Sequence, residues 1–337
     1  MTRISYEDVY AVLLKALVKT GFDGERAKIC ARLFTDSSRD GVYSHGLNRF
    51  PRFMEMIQNG VIDIRARPEL IGSFGALERW DGRRGPGNLN AHACMERAIS
   101  LSREHGMGGV ALANTNHWMR GGTYGWQAAD AGVIGICWTN TMPNLPPWGA
   151  SEPRLGNNPL VIAVPRAEGH IVLDMAMSQF SYGTLESHRM RGEQLPVIGG
   201  FNLNGELTCD PGAIETSARP LPIGYWKGSG LALMLDLLAS LLSGGQATHQ
   251  ITPDSLQETG LSQVFLAFDL SIIGKASDAE NVTNQIVASI QGSTSTMDER
   301  VRYPGERTLE IRKRNLEQGI PVDPQIWQQV KALSAAT

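Results

Sequence analysis

Between residues 41 and 53 the chain reads GVYSHGLNRFPRF, which puts a hydroxyl, an imidazole, an amide and a guanidinium at Ser44, His45, Asn48 and Arg49. An imidazole gives or takes a proton near neutral pH, and a guanidinium matches a carboxylate with two parallel hydrogen bonds. Four residues apart on an incipient helical turn, His45 and Arg49 can share one face, a pairing suited to a 2-oxo acid. A lone loop histidine is more often a surface group, so Arg49 is what raises His45 above that reading. A second polar cluster, Asn116-His117-Trp118-Met119-Arg120-Gly121-Gly122, follows the strand-like run 110–113. Strand ends of α/β sheets are ligand sites. Alone, this cluster also reads as a glycine turn whose histidine bonds nearby backbone. Reduction of a carbonyl needs a proton donor, a carboxylate clamp and a group that positions the oxygen, and His45, Arg49 and His117 can supply them.

These groups need elements to hold them. Ser5 can cap a first helix with Glu7 and Asp8 in its opening turn, Val9, Val12, Leu13, Ala16 and Leu17 on its inner face, and Gly21 at its end. Asp23 can cap a second, with Ala27, Cys30, Ala31 and Phe34 at three- and four-residue steps, and Gly41 ends it. Residues 50–59 read as a third helix, closed by Asn59-Gly60. From Leu70 the pattern changes. Apolar runs at 76–80, 109–113, 134–138, 160–164 and 171–174 read as strands, alternating with helices over 89–105 and near 124–131. After a glycine- and proline-rich stretch, 227–242 reads as a helix with a wide apolar face and 263–270 as a strand. Three amphipathic helices from Ala276 can fold back on the first unit. The expected class is α/β, with 1–70 plus 276–337 as a helical domain carrying the His45 loop and 71–275 as an α/β domain.

Composition narrows the partners. The 337 residues are 42% hydrophobic and 19% charged, which is the balance of a globular protein with a sizeable core. A formal charge of −3 and a pI near 6.2 give no basic footprint, so neither nucleic acid nor an anionic membrane is expected. Cys30, Cys94, Cys137 and Cys209 are far apart, lack metal-ligand spacing and read as reduced core thiols, which favours the cytoplasm; no metal site is expected. The N-terminus lacks a signal-like apolar core, and the run 230–242 is short and interrupted by Asp236, so no membrane segment is expected. The usual dinucleotide fingerprint is missing: Gly85-Pro86-Gly87 has Asn90 in its third position, and Gly228-Ser229-Gly230 follows no strand and has Leu233 there.

The segments GVYSHGLNRFPRF, NHWMRGGTYGWQAADAGVIGICWTN, PPWGASEPRLGNNPLVIAVP, LDMAMSQFSYGTLE and LPIGYWKGSGLALMLDLLA resemble the malate/L-lactate dehydrogenase family, a non-Rossmann group of nicotinamide-dependent oxidoreductases. They occur in the family's order and at its spacing over nearly the whole chain. The resemblance implies a non-Rossmann, mixed-sheet, dinucleotide-binding core. It makes His45 the proton donor and Arg49 the carboxylate clamp, with Ser44 beside them, as in a branch that reduces sugar acids. In other relatives the acid/base role belongs to the histidine placed here at 117, so the assignment stays open. Cofactor contacts are implied at Val172, Leu173, Asp174, Met175 and Ala176, at Trp226 and Lys227, and at the turn Gly305, Glu306 and Arg307. Asp174, ending a strand, can accept ribose hydroxyls. Lys227, starting a helix, puts an ammonium and free backbone N–H groups at one spot.

Two departures from the family pattern stand out. Malate- and lactate-type members carry a GGYKG-like segment where this chain has GYWKG, which supports the sugar-acid branch. The Gly-Thr-Asn-Pro stretch of close relatives is Gly156-Asn157-Asn158-Pro159 here, which puts cofactor contacts at Asn157 in doubt. The expected activity is hydride transfer from NAD in its reduced form, NADH, with NADPH left open, to the 2-oxo carbon of a small sugar acid. A malate, L-lactate or ureidoglycolate type of dehydrogenase is the alternative. A homodimer with active sites near the subunit interface is also implied.

Overall fold

The computed structural model describes residues 2–274, 276–296 and 300–335. The limits at 1, 275 and 337 of the domain ranges expected above lie outside these residues. Strand β1 (Thr2–Ile4) leads into helices α1 (Tyr6–Lys19), α2 (Gly24–Arg39) and α3 (Phe50–Gln58). Ser5 caps α1 by accepting from the Asp8 N–H at 3.0 Å, and Val9, Leu13, Ala16 and Leu17 form its buried stripe. Asp23 caps α2 in the same way, and Ala27, Cys30, Ala31 and Phe34 face inward. Phe34, Phe50 and Phe53 meet edge to face or tilted, closing a core between α2 and α3.

The middle of the chain runs β2 (Glu69–Phe74), β3 (Leu77–Asp81), α4 (Gly87–His105), β4 (Met107–Asn116), α5 (Gly122–Asp130), β5 (Ile134–Thr139), β6 (Leu160–Val164) and β7 (Ile171–Met175). An excursion follows, with α6 (Tyr182–Arg191), β8 (Gly200–Phe201), β9 (Leu207–Thr208) and α7 (Pro211–Ser217). Then come α8 (Trp226–Ser243) and β10 (Thr259–Phe268). Seven strands form one sheet in the order β2-β3-β4-β10-β5-β6-β7. β10 lies between β4 and β5, antiparallel to both, with Phe265 opposite Val110 and Cys137. Only β3 and β4 run parallel, so the sheet is mixed. Alternation along β10 builds two cores: Val264 faces α8 with Ala111 and Ala239, whereas Phe265 faces α4 and α5 with Trp118 and Tyr124.

The tail consists of α9 (Leu270–Ile273), α10 (Ala276–Gln291), α11 (Glu306–Gln318), β11 (Ile320–Val322) and α12 (Pro324–Ala335). β11 pairs with β1, Val330 of α12 joins the core of α1, and Asn315 of α11 donates to the Arg39 carbonyl at 2.9 Å. The last helices therefore close over the first ones.

Candidate active site

The His45 loop is shaped where α2 stops. Asp40 caps that helix, and Gly41 turns the chain with φ +86°. Two 3₁₀ turns follow, Tyr43–His45 and Leu47–Arg49, with Gly46 between them at φ −106°, ψ −126°. A Cβ on Gly46 would lie 2.7 Å from the Ser38 nitrogen, so no other residue lets the loop rest on α2. Leu47 N–H donates to Ser38 Oγ at 2.7 Å and locks the contact. This corrects one expectation: His45 and Arg49 do not share a continuous helical turn, because Gly46 breaks it. Their proximity comes instead from the two turns folding against α2.

His45 and His117 stack, with ring centroids 5.7 Å apart and planes 22° apart. Both are half-buried. The loop after β4 therefore delivers its histidine to the helical unit's histidine. Ser44 Oγ lies 2.9 Å from His45 Nδ1, and its other side meets the start of α6 at Gly183. Met119 N–H donates to His117 Nδ1 at 3.0 Å. That bond makes Nδ1 an acceptor, so the neutral His117 ring carries its hydrogen on Nε2. Burial, Arg49 and Arg120 lower the His45 pKa to about 4. Burial, Arg49, His45 and Arg52 push His117 well below the ordinary imidazole value.

Arg49 is half-buried, and among the described residues no protein group hydrogen-bonds its guanidinium. Burial and Arg52 bring its pKa down to about 10 against the pull of Glu258, so it stays charged at neutral pH. Glu258 is 4% exposed and accepts from Met142 N–H at 3.3 Å; burial raises its pKa although Arg49 and Arg52 oppose this. Arg52 is committed to the Ser255 carbonyl. The guanidinium of Arg49 is thus the uncommitted cation beside the two histidines.

The segments implied for a dinucleotide gather on β7, the edge of the large sheet. Asp174 Oδ2 accepts from Gly122 N–H at 2.8 Å, and its exposed carboxylate has Oδ1 left over. Protein crowds it enough for burial to raise its pKa, although Arg120 and the Gly122 N–H pull the other way. Gly305 lies over the first half of β7: Val172 N–H donates to the Pro304 carbonyl at 2.9 Å, and a Cβ on Gly305 would come within 3.0 Å of Val172 N. At the other end, Ser178 bridges Pro222 and Ile223 N–H donates to Met177 O at 2.8 Å, which sets exposed Trp226 and Lys227 at the start of α8 beside the strand's exit. The free backbone N–H groups expected at the start of α8 are not there, because Lys227, Gly228 and Ser229 N–H donate to the Gly224, Ile223 and Tyr225 carbonyls; an accessible carboxylate oxygen, a glycine cradle and the exposed Lys227 ammonium remain as a donor and acceptor set that fits a dinucleotide.

Within these segments the side chains differ in what they touch. Val172 is 5% exposed and belongs to the core, so its backbone faces Pro304 while its side chain packs under α5. Leu173, Met175 and Ala176 are half-buried along the strand and its exit. Glu306 is occupied, accepting from Gln291 at 3.0 Å and pairing with Arg300. Arg307 lines a polar cavity of about 210 Å³ with Arg302, Glu310, Ile311 and Arg314. Asn157 joins a loop network, accepting from Asn144 Nδ2 at 3.1 Å and Thr141 Oγ1 at 3.2 Å.

The sequence reading placed Arg120 in the second polar cluster without a role of its own, and it missed Asp40 and Glu258. Arg120 Nη1 donates to Asp40 Oδ2 at 2.6 Å, and Arg312 grips the same carboxylate with two bonds of 2.8 Å. Burial would raise the Asp40 carboxyl, but Arg312, Arg120 and Arg39 hold it below the usual carboxylate range. Its partners Arg120 and Arg312 lie 80 and 272 residues along the chain, so nothing local in the sequence marks it. Among the described residues, no group of His, Cys, Asp or Glu is arranged to hold a metal ion, and no helix is long and apolar enough to cross a membrane.

Comparison with known proteins places this geometry. A sequence model described as malate/L-lactate dehydrogenase matches residues 4–331. The 2,3-diketo-L-gulonate reductase of Escherichia coli O6:K15:H31 (strain 536 / UPEC) is 47% identical over 335 residues, covering 98% of this chain and 100% of the relative. The protein of the same name from Shigella boydii serotype 4 (strain Sb227) matches with the same identity and coverage. The solved structure of sulfolactate dehydrogenase from Methanocaldococcus jannaschii superposes with a TM-score of 0.91 at 26% identity, covering 98% of this chain and 96% of that one.

Proposed function

The chain belongs to the malate/L-lactate dehydrogenase family, and we propose that it reduces C2 of 2,3-diketo-L-gulonate to give 3-dehydro-L-gulonate, with NADH as reductant. The observation that carries this reading is the stacked His45–His117 pair next to a guanidinium without a protein partner. The full-length likeness to the diketogulonate reductases supports the choice of substrate over a malate, L-lactate or ureidoglycolate type. The family is one of nicotinamide-dependent enzymes. Asp174, the Gly305 turn and the Trp226–Lys227 helix start would hold the dinucleotide, which supplies the hydride.

Arg49 binds the substrate carboxylate with its two-pronged donor set, which brings the neighbouring carbonyl up to the histidines. His117, with Nδ1 occupied by Met119, offers its Nε2 hydrogen to the carbonyl oxygen and holds it in place. As the new C–H bond forms, the carbonyl π electrons move to oxygen, and His45 delivers the proton there. The free site keeps His45 neutral partly through Arg49's charge. A carboxylate on Arg49 cancels that charge, so substrate binding itself raises the proton affinity of the donor. Ser44 orients the His45 ring through Nδ1.

The proposed assembly is a homodimer. Beyond the face of α8 that packs on the sheet, Leu233, Met234, Leu237 and Leu241 remain 42% to 74% exposed, an apolar stripe suited to a second copy. A cytoplasmic setting is supported by Cys30, Cys94 and Cys137, all buried and unpaired. The reading is tested by following NADH oxidation over a panel of 2-oxo acids. The diketogulonate should be reduced with the highest kcat/KM, and a clear preference for pyruvate or oxaloacetate would move the chain to the alternative. The same panel with NADPH decides the cofactor.

A further inference from the structure

Arg120 belongs to no role assigned above, yet it is a buried charge on the His117 loop whose field reaches both His45 and Asp174. It is 5% exposed, its Nη1 is fixed on Asp40 Oδ2, and its Nε is buried with no partner. Asp40 also holds Arg312 and Arg39, and Arg39 has a second carboxylate in Asp36. Three guanidiniums therefore face two carboxylates, Asp36 and Asp40. The cluster keeps one net positive charge. Of its members, Arg120 is the one on the catalytic loop: three residues earlier His117 stacks on His45, and two residues later Gly122 binds Asp174.

We propose that Arg120 assists the reduction electrostatically: pinned by Asp40 on the His117 loop, its guanidinium is a fixed positive charge beside the site that stabilises the negative charge growing on the substrate oxygen. A preset charge in a half-buried site needs no reorganisation when the carbonyl becomes an alkoxide, which is where electrostatic catalysis is most effective. This rests on the reductase reading, because it is that reaction which develops the oxyanion. The same charge discourages protonation of His45 in the free enzyme and favours the ionised form of Asp174. The other groups facing His45 are Arg49 on its own loop, His117 and Ser44. Arg52 and Glu258 act on Arg49, Arg52 also on His117, and Tyr182 at the start of α6 donates its hydroxyl to the Asn144 carbonyl.

The test compares Arg120→Met with Arg120→Lys in the full-length enzyme. Asp40 keeps Arg39 and Arg312 in both, so no buried carboxylate is stranded. The His45 imidazole is titrated by NMR on histidine-labelled protein, assigned with His45→Gln, and kcat and KM are measured at saturating NADH. Arg120→Met should move the His45 titration up by a resolvable fraction of a pH unit, Arg120 being the smallest of the three influences that lower it, and should lower kcat about 10- to 100-fold, with KM changed less than about threefold. Arg120→Lys should restore the titration and most of kcat. A fall in kcat with the His45 titration unmoved, or a titration displaced equally in both variants, overturns the proposal and leaves Arg120 a structural tie. If the wild-type enzyme reduces no 2-oxo acid, the reductase reading fails instead, which the titration alone does not decide.

Discussion

Two histidines stacked at 5.7 Å need not share a role, and their Nδ1 partners divide them. His117 cannot take a second proton without breaking its bond from Met119 N–H, whereas His45 has at Nδ1 the Ser44 hydroxyl, which can reverse its direction. Replacing His45 with Gln should cost about 10²–10⁴ in kcat and abolish the alkaline fall in rate, whereas His117→Gln should cost less and keep that limb. A profile in which His117→Gln loses the limb and His45→Gln keeps it would reverse the two roles. The sign of the electrostatics adds a further expectation. Arg49 lowers the proton affinity of His45, so neutralising it with substrate moves the limb to higher pH: the kcat profile should fall later than the kcat/KM profile, which starts from a free-site value of about 4. Arg49→Lys keeps a charge but loses the fork, so KM for a 2-oxo acid should rise about 10-fold or more with NADH affinity unchanged. Equal damage towards an uncharged ketone would remove the carboxylate clamp. His45, Arg49 and His117 were legible because their side chains have few other uses at such spacing. Asp40 and Arg120 were not, since a carboxylate at a helix end and an arginine in a glycine turn look like surface residues until residues 80 and 272 positions away meet them.

At the scale of elements, the Asp40 carboxylate joins three pieces: the end of α2, the loop after β4 and helix α11. It is buried, its partners are guanidiniums, and it sits at a helix C-terminus, where a negative charge is locally unfavourable. Replacing it with Asn would leave three buried or half-buried cations facing a neutral amide, which should cost about 3–5 kcal/mol in unfolding free energy. Because the folded-state pKa is depressed, Asp40's contribution is complete above the unfolded carboxyl value of about 4 and is lost as pH falls through the folded one. Thermal melts at pH 7 and at pH 3 should therefore differ somewhat less for Asp40→Asn than for the wild type, which at pH 3 has lost only the first part of this contribution; an equal drop in both would assign acid unfolding to other carboxylates. The long elements could be read in advance because a single apolar periodicity ran through each, as in α1, α2, α4 and β10. The excursion between β7 and α8 could not. β8 and β9 have two residues each, α7 has seven, and their small core of Leu185, Leu195 and Ile214 leaves no periodic trace. β2 was missed for a different reason: it is an edge strand exposed at almost every position, so neither face carries a pattern. Asp236, which looked like a break in the apolar run of α8, instead accepts from Asn140 at 2.9 Å and Thr248 N–H at 2.9 Å, tying the helix to the end of β5.

For the whole molecule, α8 is one of the elements that keep an uncovered apolar face in a single chain. Ala232, Leu235 and Ala239 pack on the sheet, yet Leu237 is 42% exposed and Leu241 is 74% exposed on the far side. An uncovered apolar stripe calls for a partner, and in the proposed homodimer a second copy of α8 provides it through a self-complementary contact. The same helix begins with Trp226 and Lys227, so assembly and cofactor binding are tied through one rigid rod about 27 Å long at the usual rise per residue. Changing Leu237 and Leu241 together to Asp should give a monomer by size-exclusion chromatography with light scattering, without touching the core side of α8. Because the helix start then loses its support, NADH should bind about 10-fold more weakly, or about 1.4 kcal/mol, by fluorescence titration. A double variant that stays dimeric would place the interface elsewhere. One that turns monomeric with NADH affinity unchanged would leave the interface on α8 but show that the Trp226–Lys227 turn is held by the β7 exit alone.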